Sequence, residues 1–285
     1  MINNFSLQIK KGEIYGLIGP NGAGKTTLMK MIVGLSSITN GDITIMGKSI
    51  RSNKKNALRE VGTIIESPDM YPIYTGRQNL IMFARMHHDI TSNRVDEVVD
   101  IVGLKNSMDK KVKNYSLGMK QRLGIAQALL HKPSVLVLDE PTNGLDPSGI
   151  KEMRDYLKDI TRRDNVSILI SSHLLSEMDL ICDRIGVIKQ GKLISEHTLD
   201  SKVILNEQNL KIIIETDNPK KAEKYLQDYD YIIDNENLLF EIKRDEIPSL
   251  IKRLIDNHVL IYRVDYSNPT LEERFFDLIG GNIIA

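Results

Sequence analysis

A glycine-rich stretch near the start of the chain has the residue types that bind a triphosphate. Glycines let backbone N–H groups approach a phosphate closely, and a lysine adds a point charge at the β- and γ-phosphates. A threonine hydroxyl at the next position is a ligand for Mg²⁺. The stretch fits the pattern G-x-x-x-x-G-K-[ST] and reads Gly19-Pro20-Asn21-Gly22-Ala23-Gly24-Lys25-Thr26-Thr27. These residues predict a nucleotide site in which Lys25 meets the phosphates and Thr26 meets the metal.

A pair of carboxylates follows an apolar run later in the chain. Residues 135–138 are all apolar, which predicts a fully buried strand of a parallel sheet, and Asp139 and Glu140 come directly after it. Open α/β sheets bind ligands at the carboxyl ends of their strands. At this place Asp139 would hold Mg²⁺ through water, and Glu140 would act as general base for the attacking water. Paired acids after a strand also suit an ordinary polar loop, but the phosphate-binding motif upstream favours the catalytic interpretation.

A histidine follows a third predicted strand. Residues 166–170 form another buried β-rich run, and Ser171, Ser172 and His173 come after it. A lone histidine is more often structural than catalytic. Here the strand end places His173 on the same sheet edge as Glu140, where it can reach a γ-phosphate.

The elements that must position these residues form an alternating pattern of strands and helices. The phosphate-binding stretch lies between an apolar run at 14–18, which predicts a strand, and a helical pattern at 27–33. This arrangement points backbone N–H groups and the positive end of a helix dipole at an anion. Alternating apolar residues predict a half-buried strand within residues 1–11. Further strands are predicted at 43–45 and 61–65, a helical subdomain at about 67–132, a helix at 148–162 and a hairpin at 184–196.

The pattern changes after about residue 203. Strands are predicted at 211–215, 231–233, 238–242 and 259–264, and helices at 220–228, 247–254 and 271–278. The order β-α-β-β-α-β predicts a small ferredoxin-like α+β accessory domain over residues 204–285, and no catalytic cluster lies in it. The expected fold is therefore an α/β P-loop NTPase core over residues 1–203, followed by this second domain.

Composition excludes several classes of protein. Among 285 residues, Lys+Arg and Asp+Glu both number 38, so no global positive field argues for a nucleic-acid partner. No apolar run approaches the ~18 residues of a membrane span, and no signal peptide opens the chain. The single cysteine, Cys182, excludes an internal disulfide and suits a reducing cytosol. We expect a cytoplasmic protein.

The order of the motifs over residues 1 to about 200 resembles that of the ATP-binding-cassette (ABC) ATPases. The family's signature matches Tyr115-Ser116-Leu117-Gly118-Met119, which lies before the Asp-Glu strand, and Leu145-Asp146 lies in the loop after it. The resemblance implies a head-to-tail homodimer that closes over two ATP molecules and uses Mg²⁺. It further implies that Ser116 and Gly118 contact the γ-phosphate bound by the partner subunit. Asp146 would communicate across the interface, and His173 would hold the γ-phosphate and the attacking water.

Three features depart from the common pattern of the family. The signature reads Tyr-Ser-Leu-Gly-Met and not Leu-Ser-Gly-Gly-Gln, but Ser116 and Gly118 are retained. Glu66 replaces the usual glutamine after the 61–65 strand, and either residue offers an oxygen to Mg²⁺. A glutamate here resembles the subgroup that exports lantibiotics and bacitracin. The family also has an earlier strand and an adenine-stacking aromatic, and this chain begins after their expected position.

The resemblance implies the ATP-binding and ATP-hydrolysing subunit of an ABC transporter. It would lie at the cytoplasmic face of the membrane and power export of an antimicrobial peptide or drug through a separate permease. We expect residues 66–88, with the exposed run Tyr71-Pro72-Ile73-Tyr74, to bind that permease. One alternative is a soluble ABC ATPase acting on ribosomes or DNA, and another is an N-terminally truncated, inactive paralogue. A GTPase is disfavoured because Asn53-Lys54-Lys55-Asn56 lacks the acid of Asn-Lys-x-Asp.

Overall fold

The computed structural model describes residues 1–87, 89–199 and 210–267. The chain divides into two compact units, residues 1–199 and 200–285. No helix of the described residues is both long and apolar enough to cross a membrane.

The first unit contains a six-stranded sheet with helices connecting its strands. The six strands of this sheet are β1 (Ile14–Ile18), β4 (Val61–Ile64), β5 (Val135–Leu138), β6 (Ser167–Ser172), β7 (Arg184–Lys189) and β8 (Lys192–Thr198), and β2 (Thr44–Ile45) and β3 (Lys48–Ser49) form a separate two-stranded sheet. The unit has seven described helices as well. Its helices are α1 (Lys25–Ile32), α2 (Lys54–Leu58), α3 (Gly76–Ala84), α4 (Ser92–Ile101), α5 (Leu117–Leu129), α6 (Pro147–Asp164) and α7 (Leu175–Ile181), with short 3₁₀ turns at Lys105–Ser107 and Val112–Asn114. The α/β class predicted from the sequence is confirmed.

The strand order explains why the predicted site residues meet. The sheet runs β4-β5-β6-β1-β7-β8, and all neighbouring pairs are parallel except β7 with β8, which form the predicted hairpin. Strand β6 therefore lies between β5 and β1, although it follows both in sequence. In the ladder Leu138 is opposite Ile170, and Ser172 is opposite Ile18. Carboxyl ends of the three strands thus lie at one edge of the sheet.

The strand predicted within residues 1–11 is not formed. The segment alternates in burial as predicted, and Phe5, Leu7 and Ile9 pack against the core. Its backbone forms no ladder: Gln8 O accepts from Arg184 Nη1 at 3.2 Å and Lys10 O from Ser167 Oγ at 3.1 Å, while Asn3 N donates to Gly191 O at 3.0 Å. A segment lying on a core shows the same alternation as a strand, so the pattern alone does not establish a ladder.

The second unit has a four-stranded antiparallel sheet in the order β10-β11-β9-β12. Its elements are β9 (Leu210–Thr216), α8 (Pro219–Ala222), β10 (Tyr231–Asp234), β11 (Asn237–Ile242), α9 (Ile247–Asp256) and β12 (Ile261–Ser267), with 3₁₀ turns at Glu223–Tyr225 and Arg244–Glu246. The helix predicted at 220–228 is therefore a short helix and a 3₁₀ turn, since Leu226 ends the turn. The helix predicted at 271–278 lies outside the described residues.

A buried arginine joins two helices of the segment between β4 and β5. Arg94 on α4 is 8% exposed and donates from Nη2 to Leu129 O at 2.6 Å and from Nε to Leu130 O at 3.3 Å. Its Nη1 also pairs with Glu97 at 2.9 Å. Because the last carbonyls of a helix have no partner within it, Arg94 satisfies the end of α5.

We predict that Arg94→Met destabilises the first unit by about 3 kcal/mol, since two buried carbonyls lose their donors. Lys105→Met is the matched control, because the exposed Lys105–Asp100 pair at 3.7 Å contributes about 0–1 kcal/mol. Calorimetric unfolding of both variants measures the difference. Equal stability of the two variants would contradict the capping role of Arg94.

Candidate active site

The phosphate-binding loop needs glycine at two positions for different reasons. Gly24 caps the N-terminus of α1 with φ +112°, in a region that side chains disfavour. Gly19 has no room for a side chain, because a Cβ there would lie 2.3 Å from Ile188 O on β7. The loop is therefore fixed in place by its own conformation and by the neighbouring strand.

Lys25 is buried between the loop and the carboxylate edge. Its side chain is 6% exposed, and Nζ donates to Gly19 O at 2.6 Å and lies 3.7 Å from Glu140 Oε1. Burial lowers the pKa of Lys25, while the carboxylates of Glu140 and Asp139 act in the opposite direction. A cation is thus held at the loop, within reach of the proposed general base.

Asp139 connects the loop to strand β6 through two hydroxyls. The residue is 5% exposed, and its Oδ2 accepts from Thr26 Oγ1 at 2.7 Å. Its Oδ1 accepts from Ser171 Oγ at 2.5 Å. The sequence pattern predicts that Thr26 and Asp139 lie together at a Mg²⁺ site, but it assigns no role to Ser171. A serine that follows the apolar run 168–170, two residues before the predicted site histidine, was the available signal.

Ser171 also holds the backbone of Glu140, the predicted general base. Its Oγ accepts from Glu140 N at 2.9 Å while donating to Asp139, so both functions of the hydroxyl are used. Glu140 adopts φ +46°, in the left-handed region that is unusual for a residue with a side chain. The hydrogen bond from Glu140 N helps to hold that conformation.

Glu140 and His173 meet at the open side of the site. Glu140 Oε2 lies 3.3 Å from His173 Nδ1, and Asn143 Nδ2 donates to the same oxygen at 3.4 Å. Both side chains are partly accessible, 26% for Glu140 and 39% for His173. The pair predicted from two separate strand ends is thus brought together where a water molecule can approach.

Glu66 does not join this group. It follows β4 with φ +68°, and its carboxylate accepts from Lys30 Nζ on α1 at 2.7 Å. This hydrogen bond holds the pKa of the Glu66 carboxyl below its ordinary value. In this structure the Glu66 carboxylate pairs with Lys30, and its predicted role as a ligand of Mg²⁺ stays a prediction. Nothing local in the sequence indicated Lys30 as its partner.

The residues matched to the family signature serve as helix caps. Ser116 Oγ accepts from Met119 N at 3.3 Å at the start of α5, and Asp146 Oδ1 accepts from Gly149 N at 3.0 Å at the start of α6. Both residues are exposed. A Cβ at Gly118 would be in ordinary contact, 3.7 Å from Leu145 Cδ2, so nothing within one described chain requires glycine there.

Comparisons with known proteins agree on one family. Residues 2–143 match the sequence profile of the ABC transporter family. The chain is 43% identical over 280 residues to the uncharacterized ABC transporter ATP-binding protein YhcH of Bacillus subtilis (strain 168), which covers 98% of this chain and 91% of that protein. It is 40% identical over 287 residues to the bacitracin transport ATP-binding protein BcrA of Bacillus licheniformis, which covers 100% and 94%. The structure of cbiO1 from Clostridium perfringens, part of the ABC transporter complex cbiONQ, matches with TM-score 0.64 and 28% identity over 71% of this chain and 86% of that one.

We predict that Ser171→Ala lowers steady-state nucleotide hydrolysis by about ten- to a hundredfold, because hydrogen bonds to charged groups contribute about 1.5–3 kcal/mol. Nucleotide affinity measured without metal should change little, since the phosphate-binding loop itself is intact. Fluorescent-nucleotide titration and phosphate release measure the two quantities.

Ser167→Ala is the matched control for this variant. Ser167 is a buried serine at the other end of β6, and its Oγ likewise donates to one partner, Lys10 O, and accepts from another, Gly12 N. Equal losses of hydrolysis in the two variants would show a loss of stability and not a specific role for Ser171.

Proposed function

This chain belongs to the ABC transporter family of ATP-binding proteins, and from that premise we propose that it hydrolyses ATP to power export through a separate membrane permease. One observation carries the catalytic part. The phosphate-binding loop, the buried Asp139 and the Glu140–His173 pair meet at one sheet edge, joined by the 2.7 Å contact from Thr26 to Asp139. These are the groups that transfer of a phosphoryl group to water requires.

The chemistry depends on positioning and electrostatics. The oxygen of a water molecule attacks the γ-phosphorus of ATP, the bond to the bridging oxygen breaks, and ADP and phosphate are the products. Glu140 takes the proton of the attacking water, and His173 at 3.3 Å orients Glu140 and contacts the γ-phosphate. Lys25 Nζ moves from Gly19 O to the β- and γ-phosphate oxygens and balances their charge.

The donor atoms around the loop fit Mg²⁺. This ion prefers oxygen ligands from one or two protein groups, together with waters and substrate phosphates, and its chemistry here is to neutralise phosphate charge. Thr26 Oγ1 would bind the ion and Asp139 would hold it through water, because the two oxygens are adjacent and Asp139 is already oriented by Ser171. Glu66 as a third ligand stays a prediction, since its carboxylate pairs with Lys30.

Two copies of the chain would form the complete catalytic site. Ser116 and Asp146 are exposed at helix starts, and the partly exposed Gly118 has space for a side chain within its own chain. A glycine that its own chain does not require suits close approach by a ligand bound to another subunit. We therefore propose the head-to-tail homodimer in which Ser116 and Gly118 contact the γ-phosphate held by the partner subunit.

The transported substrate is proposed from similarity. A relative 40% identical over the whole chain is named for bacitracin transport, so we propose an antimicrobial peptide as cargo, consistent with Glu66. The chain would act at the cytoplasmic face of the membrane beside its permease, with no nucleic-acid partner.

We propose that the second unit is a ferredoxin-like accessory domain, because its sheet order β10-β11-β9-β12 suits a split β-α-β pattern. Action on ribosomes or DNA is not favoured.

A rigid exposed patch on the first unit suits binding of the permease. Tyr71, Ile73 and Tyr74 are 46%, 66% and 38% exposed. The buried Asn79 fixes their loop, accepting from Tyr71 N at 2.8 Å and donating to Tyr71 O at 3.1 Å. An apolar patch held in one conformation loses little entropy when a partner covers it.

We predict that Lys25→Ala abolishes ATP hydrolysis. Lys54→Ala is the control and should keep hydrolysis, because Lys54 is an exposed lysine bonded to Gly34 O.

We predict that Glu140→Gln lowers kcat by about 10²–10⁴-fold with ATP still bound, because it removes only the base. In that variant the closed dimer should accumulate with ATP in sedimentation runs. Near-wild-type hydrolysis by Glu140→Gln would show that Glu140 is not the general base. If neither the wild type nor the variants bind ATP, the proposed nucleotide site is refuted.

We predict that reversing Arg77 and Arg85 together, to glutamate, lowers the membrane-bound fraction of the chain in cells by about fivefold or more, since like charges at an interface oppose association. Reversal of Arg162 and Arg163, exposed at the end of α6, is the control. Quantitative blotting of membrane and soluble fractions measures this. An unchanged fraction would contradict docking at residues 66–88.

A further inference from the structure

The sheet of the second unit has an open edge at strand β12. In the order β10-β11-β9-β12 this strand (Ile261–Ser267) pairs with β9 on one side, and no described strand lies on its other side. Such an edge presents backbone N–H and C=O groups that can bind another strand. The edge also carries accessible charges, because the side chains of Arg263 and Asp265 are 68% and 46% exposed.

The hydrogen bonds of β9 show which residues of β12 have their backbone directed to the open edge. Thr216 N donates to the backbone of the β10–β11 turn at 3.0 Å, so Thr216 bonds away from β12. Alternate residues of an antiparallel strand bond to opposite neighbours, so Glu215 bonds to β12, where it is opposite Arg263. The register is regular from Arg263 onward. By the same alternation, Val264 directs its N–H and C=O away from β9.

We propose that β12 binds β12 of a second copy of the chain, antiparallel, about a two-fold axis at Val264. The N–H of each Val264 then donates to the C=O of the partner's Val264. Arg263 lies opposite the partner's Asp265, and Asp265 lies opposite the partner's Arg263. The two four-stranded sheets become one sheet of eight strands. Each contact occurs twice, as in any isologous interface, and the sequence Arg-Val-Asp makes this edge complementary to itself.

Backbone direction and charge together select this axis. Residues that bond outward have to lie opposite residues that bond outward, so the axis passes at a residue and not between two residues. An axis at Arg263 would place that residue opposite itself, and an axis at Asp265 would do the same with the acid. Like charges directly opposite each other destabilise a strand pair. An axis at Val264 makes both charged pairs attractive, and an axis further along the strand shortens the paired segment.

The ion pair within β12 is compatible with this contact. Arg263 Nη2 lies 2.5 Å from Asp265 Oδ2, and the two residues, two positions apart, share one face of the sheet. Across the axis the two copies would bring together four charges of alternating sign. A guanidinium has five N–H donors, so Arg263 can bind the carboxylate of its own chain and that of the partner. A neutral strand paired with this edge would offer these charges no such partner.

The contact is small, because it consists of one strand pair and one charge cluster. Main-chain hydrogen bonds supply the affinity in this mode of binding. An interface of this size is weak and reversible. It involves no nucleotide and only residues of the second unit, so it is independent of the proposed ATP-dependent dimer.

The test is sedimentation equilibrium of the full chain without nucleotide, at concentrations from about 1 µM to about 1 mM, which bracket weak affinities. We expect a reversible dimer. Arg263→Asp and Asp265→Arg should each weaken it by about tenfold or more, because both cross-strand pairs become like-charge pairs. A mixture of the two single variants should form a heterodimer with a Kd within about threefold of wild type, because every cross-strand pair is again of opposite charge.

Lys252→Glu is the matched control for Arg263→Asp, since it makes the same charge change at an exposed position of α9, outside β12. It should leave the dimer unchanged, and circular dichroism checks that every variant is folded. A wild-type chain that is monomeric at all concentrations would overturn the proposal. Undiminished dimers of both single variants, or a mixture that fails to associate, would overturn the axis at Val264.

Discussion

The catalytic site depends on the hydrogen-bonded register between three parallel strands. Strand β6 pairs with β5 on one side, as far as Leu138 opposite Ile170, and with β1 on the other, as far as Ile18 opposite Ser172. Side chains alternate along each strand, so a slip by one residue would turn Ser171 away from Asp139. The phosphate-binding loop, the two carboxylates and the histidine belong to sequence segments far apart, and this register alone brings them together.

Ser171 turns the register into fixed geometry. Its hydroxyl donates to Asp139 and accepts from Glu140 N, so one side chain on β6 holds two consecutive residues after β5. Glu140 has a left-handed backbone, which costs about 1–2 kcal/mol for a residue with a side chain. Tertiary contacts, and not local preference, offset that cost. The left-handed conformation directs the Glu140 carboxylate toward His173 and Lys25 and away from the strand axis.

The parts of this structure that were predictable are those encoded in short segments. The loop at Lys25 and the acids after β5 follow from residue types at fixed spacing, and apolar runs placed β1, β5 and β6. Ser171 and Lys30 were not predictable as functional neighbours, because their partners lie more than thirty residues away in the sequence. The absent strand at residues 1–11 has a different cause. Alternating burial is common to a strand and to any extended segment on a core, and only the hydrogen bonds distinguish them.

The Lys30–Glu66 pair gives the departure at Glu66 a physical meaning. A glutamine there would be neutral, whereas glutamate adds a negative charge, and Lys30 balances that charge from the helix that begins at the phosphate-binding loop. Both side chains are substantially accessible, 36% and 70%, so water screens the pair and it contributes little to stability. A weak pair exchanges partners readily. Glu66 is therefore held in a defined place by α1 yet is free to leave it at small cost, and it begins the segment that leads through Tyr71 to the exposed patch.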